Sequence, residues 1–221
     1  MVQPKFVDLM SKYPSPANRL KERERPTNES KLVARRFDKE FFDGQRKHGY
    51  GGFQYHPRFW SETVQLFIEH YGLGPKDSIL DVGCAKGFML VDFVTAIPDL
   101  QVSGIDISDY AISHSHPAIR DRVKVGNCLQ LPYPNASFDL VISINTIHNL
   151  NRSGCIKAIK EIERVKRRNS YIVVDGWNSD QEKHDLDSWV LTAETVLSHA
   201  QWQELFAEAG YSGEYSFWKV R

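Results

Sequence analysis

The sequence predicts an α/β protein: a mostly parallel central sheet with helices on both faces. Short apolar runs alternate with helical patterns from Ser78 onwards. Those runs are almost continuously apolar, as strands covered on both faces must be. The first of them, in "SILDVGCAKGFMLVDF" (residues 78–93), ends in an acid and turns through two glycines straight into a helical pattern. Together these describe a Rossmann-like three-layer sandwich, preceded by an N-terminal helical and aromatic lid extension.

Residues 1–48 are polar and charge-dense, interrupted by Pro4, Pro14, Pro16 and Pro26. Within them "KFVDLM" has the pattern of one or two helical turns, and "ESKLVARRFDKEFFD" reads as one amphipathic helix. "HGYGGFQYHPRFW", residues 48–60, is too rich in glycine and aromatic rings to be regular. "RFWSETVQLFIEHYGL" places Trp60, Val64, Phe67 and Ile68 on one helical face. Gly72 and Gly74 end it, and Pro75 begins the turn into the first core strand.

The predicted order is then strand "SILDV", helix "KGFMLVDFVTAI", strand "LQVSGIDI", helix "SDYAISHSH", strand "RVKVGN" and strand "FDLVISIN". The helix "GCIKAIKEIERVKRR" comes next, apolar at Ile156, Ala158, Ile159, Ile162 and Val165, and then the strand "SYIVVDGW". After a polar stretch, "SHAQWQELFAEAG" is a helix with Ser198 as N-cap and Gly210 just past its end; "GEYSFWKV" closes as a strand. The chain divides into an N-terminal extension and lid, residues 1–74, and a ligand-binding core, residues 75–221.

Lys+Arg and Asp+Glu number 28 each, so the formal net charge of the 221 residues is zero. That balance argues against a dedicated nucleic-acid binder, which carries a basic excess to neutralise phosphates. The mixed-charge stretches "RLKERERP" and "ARR" read as solvated faces. Cys84, Cys128 and Cys155 lack the paired spacing of a zinc or redox site, which fits a reducing compartment. "MVQPKFVDLMSKYPSPANRL" has no apolar core of signal-peptide length, and no later run suits a bilayer span. The expectation is a cytoplasmic monomer or homodimer with a small-molecule substrate, and no metal, membrane or nucleic-acid partner.

A dinucleotide-binding turn reads G-x-G-x-x-G, its glycines letting backbone and helix approach a pyrophosphate. Here the run is Asp81-Val82-Gly83-Cys84-Ala85-Lys86-Gly87: Ala85 replaces the middle glycine, and Gly87 comes a residue early. Asp81 would repel a pyrophosphate but suits a ligand carrying positive charge. S-adenosylmethionine is such a ligand, with a sulfonium, an α-ammonium and no phosphate. Asp106 lies roughly twenty residues beyond the turn, where a carboxylate takes ribose hydroxyls. Asn127 and Cys128 end the third core strand. Ligands bind at the carboxyl ends of parallel strands, so all three clusters converge on one crevice.

With these residues in order, the chain resembles the class I S-adenosylmethionine-dependent methyltransferases, of the small-molecule kind often called methyltransferase domain 11. "LDVGCAKG" is similar to that family's first motif and "GIDISDYAI" to its acidic loop. "NCLQLPYPNASFDLVISINTIHNL" resembles its D-x-x-x-L-P-F-x-x-x-S-F-D-x-V segment. The resemblance implies that Asp81 organises the methionine end of the cofactor while Gly83, Cys84 and Gly87 supply close backbone. It implies that Asp106 holds the ribose diol, Ile107 lies against adenine, Asn127 and the Cys128 amide contact the adenine edge, and Asn145 sits beneath the methionine group. The family usually has an acid where this chain has Asn127; an amide oxygen still accepts from an amino group but brings no charge. The family's sheet also commonly ends in two further strands, one antiparallel, whereas "GEYSFWKVR" leaves room for one strand or a tight hairpin.

His148, in "NTIHNL", is the natural candidate for a base beside the transferred methyl, against the plainer reading of a histidine that caps or packs. Asp175 is a second catalytic candidate, after the fifth core strand. The stretch "DGWNSDQEKHDLDSWVLTAETVLSH" resembles the insert that builds an acceptor pocket in these enzymes, offering His184 and Trp189 to a substrate. In "YGGFQYHPRFW" the glycines at 51 and 52 permit a flexible turn, and Tyr50 and Tyr55 give flat surface for a lid that excludes water. Arg58 stands ready to grip an acidic substrate group. The expected activity is methyl transfer to an oxygen or nitrogen of a small polar acceptor, with a sugar or nucleotide-linked sugar as the leading class. The alternatives are a cofactor-binding module without catalysis, or a methyltransferase acting on RNA or protein.

Overall fold

The computed structural model describes residues 3–14, 25–51 and 53–218. Gly52, and residues 19–24 of the mixed-charge stretch, lie outside the described residues. In chain order the elements are β1 (Lys5–Phe6), α1 (Asn28–Ala34), α2 (Lys39–Asp43), α3 (Ser61–Tyr71), β2 (Ser78–Val82), α4 (Phe88–Ala96), β3 (Gln101–Asp106) and α5 (Asp109–Ser113). Beyond them come β4 (Val123–Val125), β5 (Phe138–Ile144), α6 (Arg152–Val165), β6 (Lys166–Trp177), α7 (Asp180–Trp189), β7 (Leu197–Ser198), α8 (His199–Ala209) and β8 (Glu214–Trp218).

The strands form one sheet in the order β1-β8-β6-β5-β2-β3-β4, with β7 beside the end of β6. Every pairing among the described strands is parallel. Alternate side chains of the buried strands feed two apolar layers. Leu80, Val141, Ile172 and Val174 face α6 and α8, meeting Ile159, Ile162, Trp202 and Phe206. Ile79, Leu140, Ile142 and Val173 face the other way, onto Phe67 of α3 and Leu90 and Phe93 of α4. This two-sided burial is why these strands read as continuous apolar runs. α8 has the predicted bounds: Ser198 and Gln201 form a reciprocal capping box, and Gly210 ends the helix at φ 71°.

Three expectations are corrected. "KFVDLM" is not helical: Lys5 and Phe6 form β1, pairing with Glu214 and Tyr215 on the outer edge of β8. The Tyr171 hydroxyl anchors the residues just after β1, donating to the Val7 carbonyl at 2.9 Å and accepting from the Leu9 amide at 3.1 Å. A two-turn helix is marginal in isolation, so pairing with an exposed edge outcompetes it. "ESKLVARRFDKEFFD" breaks into α1 and α2. Thr27 and Asp38 cap them separately, and Phe37 adopts a left-handed φ of 50° between them. Finally, "KRR" leaves α6 and starts β6, because Arg167 and Arg168 pair with Asp139, and Arg168 with Asp77, across the strand starts. The sheet edge after α8 is a single described strand, β8, parallel to β6.

Candidate active site

β2 lies between β3 and β5, so the chain crosses to opposite sides of β2 and opens a crevice at its carboxyl end. The turn after β2 needs left-handed backbone at Gly83 (φ 87°), Ala85 (φ 51°) and Gly87 (φ 76°). The Gly83 and Cys84 amides both donate to the Ile105 carbonyl, at 2.7 and 3.1 Å. A Cβ at position 83 would lie 2.0 Å from Thr146 Oγ1, so only glycine lets the turn pass. Asp106 ends β3 and accepts from the Ala85 amide at 2.8 Å and the Ser108 amide at 2.9 Å. Each carboxylate oxygen keeps a further lone pair for a ligand.

Above this crevice is a cavity of about 670 Å³, within the usual range for small-molecule sites. Its floor carries the carboxylates of Asp81, Asp106 and Asp175 and the amide of Asn145. Asp81 is 6% exposed. Burial and the neighbouring Asp106 raise its pKa to about 7, and no donor reaches it among the described residues. Asn145 holds a left-handed φ of 52°, and its buried amide oxygen has no partner; the buried Asn149 oxygen is likewise unpaired. Such backbone strain next to unsatisfied buried acceptors marks a site built for a ligand rather than for stability. An ammonium group supplies both the N–H donors and the positive charge that Asp81 and Asn145 lack, so the floor fits the amino-acid end of S-adenosylmethionine.

Ile107 lines the cavity and is 54% exposed, an apolar surface open to a ring. The side-chain oxygen of Asn127 accepts from the Leu129 amide at 2.9 Å, forming a turn that leaves its NH₂ unused. Cys128 also lines the cavity, its thiol raised to about 11 by burial. The Cys84 thiol is pushed well up by burial, so it fills space beside Gly104 as a neutral group.

His148 and Asp175 meet at the back of the cavity, both buried. The Asp175 amide donates to His148 Nδ1 at 2.9 Å, and the Asp175 carboxylate lies 3.7 Å from the same nitrogen. In the neutral ring the proton is therefore on Nε2. Burial lowers the imidazole pKa, outweighing the Asp175 charge and a backbone hydrogen bond with Asn145. The His148 carbonyl accepts from the Glu194 and Thr195 amides at 3.0 Å, joining three segments at this residue. Burial raises the Asp175 carboxyl, which the nearby His148 partly opposes.

The roof comes from the N-terminal segment. The Ser108 hydroxyl donates to the Phe37 carbonyl at 2.5 Å. Asp43 accepts from buried Lys86 at 2.5 Å and from Tyr110 at 2.8 Å, while Lys86 also donates to the Phe53 carbonyl. The Tyr50 hydroxyl accepts from the Leu191 amide at 2.8 Å, and its ring packs 5.6 Å from Trp189.

Of the residues singled out from sequence, the cavity gathers Asp81, Gly83, Cys84, Asp106, Ile107, Asn127, Cys128, Asn145, His148, Asp175, Tyr50 and Trp189. Gly87, Tyr55, Arg58 and His184 are not in its lining. Gly87 seats α4 against Ile119, where a Cβ would lie 2.4 Å from Cδ1. Tyr55 donates to Asp92 at 3.0 Å, Arg58 lies over the Phe59 ring at 4.7 Å, and His184 is exposed on α7. Sequence reasoning missed Arg35, Arg36, Arg46 and Lys86, all of which line the cavity. For Lys86 the signal was a long cation inside a turn of small residues. For Arg35 and Arg36 it was only "ARR", which a solvated face explains equally well, and for Arg46 there was none.

Residues 79–169 match the family model of a methyltransferase domain. That match, the curated relatives and the solved folds support a class I S-adenosylmethionine-dependent methyltransferase. Among curated relatives, an O-methyltransferase of Pyrenophora dematioidea is 27% identical over 180 residues, covering 72% of this chain and 66% of that protein. The tRNA (carboxymethyluridine(34)-5-O)-methyltransferase of Arabidopsis thaliana is 32% identical over 142 residues, 61% of this chain and 31% of its own length. A solved geranyl diphosphate methyltransferase in complex with SAM superposes with a TM-score of 0.56 at 18% identity, covering 69% of this chain and 65% of that one. The methyltransferase domain thus sits on the expected fold, and the chain spans two thirds or less of these relatives. No helix among the described residues is long and apolar enough to cross a membrane.

Proposed function

We propose that this protein transfers a methyl group from S-adenosylmethionine to an oxygen or nitrogen of a small polar acceptor of the sugar or nucleotide-sugar class. The observation that carries the reading is Asp81: a buried, unpartnered carboxylate beside Asp106, in a turn hostile to a pyrophosphate. When bound, the cofactor supplies a methyl group already activated on sulfur. Asp81 and Asn145 hold its ammonium, Asp106 its ribose, Ile107 its adenine face, and Asn127 and Cys128 the adenine edge. At the back of the cavity Asp175 accepts the acceptor's proton on its carboxylate, and burial, by raising its pKa, makes it a stronger base than a solvated aspartate. His148 acts through Asp175 by gripping its backbone amide. The lid is narrower than residues 1–74, since β1 and α3 belong to the sheet and its core. Phe37, Phe41, Phe42, Tyr50 and Trp60, which line the cavity, supply the rings that exclude water, so that positioning of two reactants supplies most of the rate.

Calorimetric titration with S-adenosylhomocysteine and with NADH tests the cofactor half: the first binds and the second does not. Incubation of metabolite pools with methyl-labelled cofactor, read by mass spectrometry, tests the acceptor. Label appearing only in RNA or protein would overturn the small-molecule reading. Tight cofactor binding with no labelled product in any pool would reduce the protein to a binding module.

A further inference from the structure

We infer that the acceptor is an anionic small molecule whose acidic group, phosphate or carboxylate, is held by Arg36 and Arg46 in the cavity roof. The inference rests on the methyl-transfer reading for the word acceptor, but its observations are independent of it. Arg35, Arg36 and Arg46 line the same cavity as Asp81, Asp106 and Asp175. No ion pair joins the two sets among the described residues. Arg35 uses one nitrogen on the Ala193 carbonyl at 3.1 Å, whereas Arg36 and Arg46 have no acidic partner among the described residues. The cavity is thus divided by charge: anions on the strand ends below, guanidiniums above. A cationic cofactor satisfies the floor, while Arg36 and Arg46, exposed to solvent at the mouth of the cavity, keep their donors open to an anion.

The backbone has been bent to bring those arginines there. A continuous helix through residues 29–43 is what the local sequence favours, yet the chain breaks at Phe37, in a left-handed conformation held by Ser108. That break ends α1 just before Arg35 and Arg36. Arg46 lies against Gly51 (φ 93°), where a Cβ would come within 2.3 Å of its Nη1. One strained residue, Phe37, and one glycine that makes room for Arg46 thus flank cations that no acidic group in the described fold neutralises. Guanidinium groups bind carboxylate and phosphate through paired N–H donors, and Tyr50 and Trp189 offer the rest of the molecule a flat apolar wall.

The test is calorimetry on the full chain with saturating S-adenosylhomocysteine, titrating inorganic pyrophosphate, citrate and glucose separately. One anion binds and glucose does not; the preferred anion tells phosphate from carboxylate. Arg36→Gln and Arg46→Gln each weaken that anion ~10-fold while S-adenosylhomocysteine still binds. Arg46→Lys recovers part of the loss, and Arg122→Gln, a surface control, changes nothing. Anion binding that is absent, or indifferent to both arginines, overturns the inference while leaving cofactor binding to stand on its own. Failure of S-adenosylhomocysteine to bind, with arginine-dependent anion binding intact, overturns methyl transfer instead. A single-stranded RNA that binds more tightly than either anion, with an affinity falling steeply in salt, also overturns the small-molecule assignment.

Discussion

The floor and the roof of the cavity are built by different means. The floor is made of strand ends: Asp81, Asp106 and Asp175 stand at or near the carboxyl ends of parallel strands, and the sheet fixes their spacing. The roof is made of short helices and turns and is held to the core by a few polar contacts, at Phe37, Asp43, Tyr50 and Phe53. The floor can therefore keep buried carboxylates that destabilise the ligand-free protein, because the sheet is rigid enough to hold them. The roof is the part free to move when ligands enter and leave.

Substitutions separate the two. Asp106→Ala has the largest expected effect: loss of charged acceptors for a ribose diol raises the dissociation constant of S-adenosylhomocysteine about 100-fold by calorimetry. The same change orphans the Ala85 and Ser108 amides, so the melting temperature falls as well. Asp43→Ala comes next. It strips buried Lys86 of its carboxylate and costs on the order of 2 kcal/mol. Hydrogen exchange should quicken across residues 37–51 and leave the strands untouched; uniform acceleration would mean that roof and floor unfold as one.

Asp81→Asn should do the opposite to stability. The Asp81 carboxyl titrates near 7 in the fold against an ordinary value of 3.8. A carboxylate raised in this way favours the folded state fully below about pH 4, and that advantage disappears as pH rises towards 7. Removing the charge therefore stabilises the ligand-free protein at pH 8 by on the order of 2 kcal/mol. It also weakens S-adenosylmethionine roughly tenfold. In the native protein a cationic ligand favours the ionised carboxyl, so binding at pH 6 releases a proton. Calorimetry in two buffers of different ionisation heat detects it, and Asp81→Asn abolishes it.

The smallest effect is at Ala85, where a non-glycine residue holds φ 51°. Ala85→Gly relieves that strain, for about 0.5–1 kcal/mol of added stability in a urea melt. It also makes the turn look more like a dinucleotide site. NADH should still fail to bind, because Asp81 remains.

The floor was largely legible in the sequence because its determinants are local. A strand, a turn of fixed length and a helix place Asp81 and Gly83, and the spacing to Asp106 needs only one more strand. The same holds for the α8 cap, written in Ser198 and Gln201. The roof was legible only as an irregular aromatic stretch. Nothing near Phe37 in the chain announces that Ser108 will hold its carbonyl, and nothing near Arg36 that a cavity will lie beneath it. His148 was seen but not its bonding, since the amide that holds it lies 27 positions away. Where a residue's conformation is decided by a partner far along the chain, pattern and propensity favoured the commoner local answer: a helix at "KFVDLM", and one helix where there are two.

The pairing of Lys5 with Glu214 has a consequence for how the molecule comes into being. During synthesis β1 leaves the ribosome before any other described strand, yet its neighbour in the sheet, β8, is made after all the other described strands. Closing so long a loop is entropically slow, so this outermost rung docks after the inner strands have assembled. The described residues 25–51 and 53–60 lie along the chain between that rung and α3. β2 and β3, which carry Asp81 and Asp106, pair across a far shorter loop, so the binding floor does not depend on that late closure.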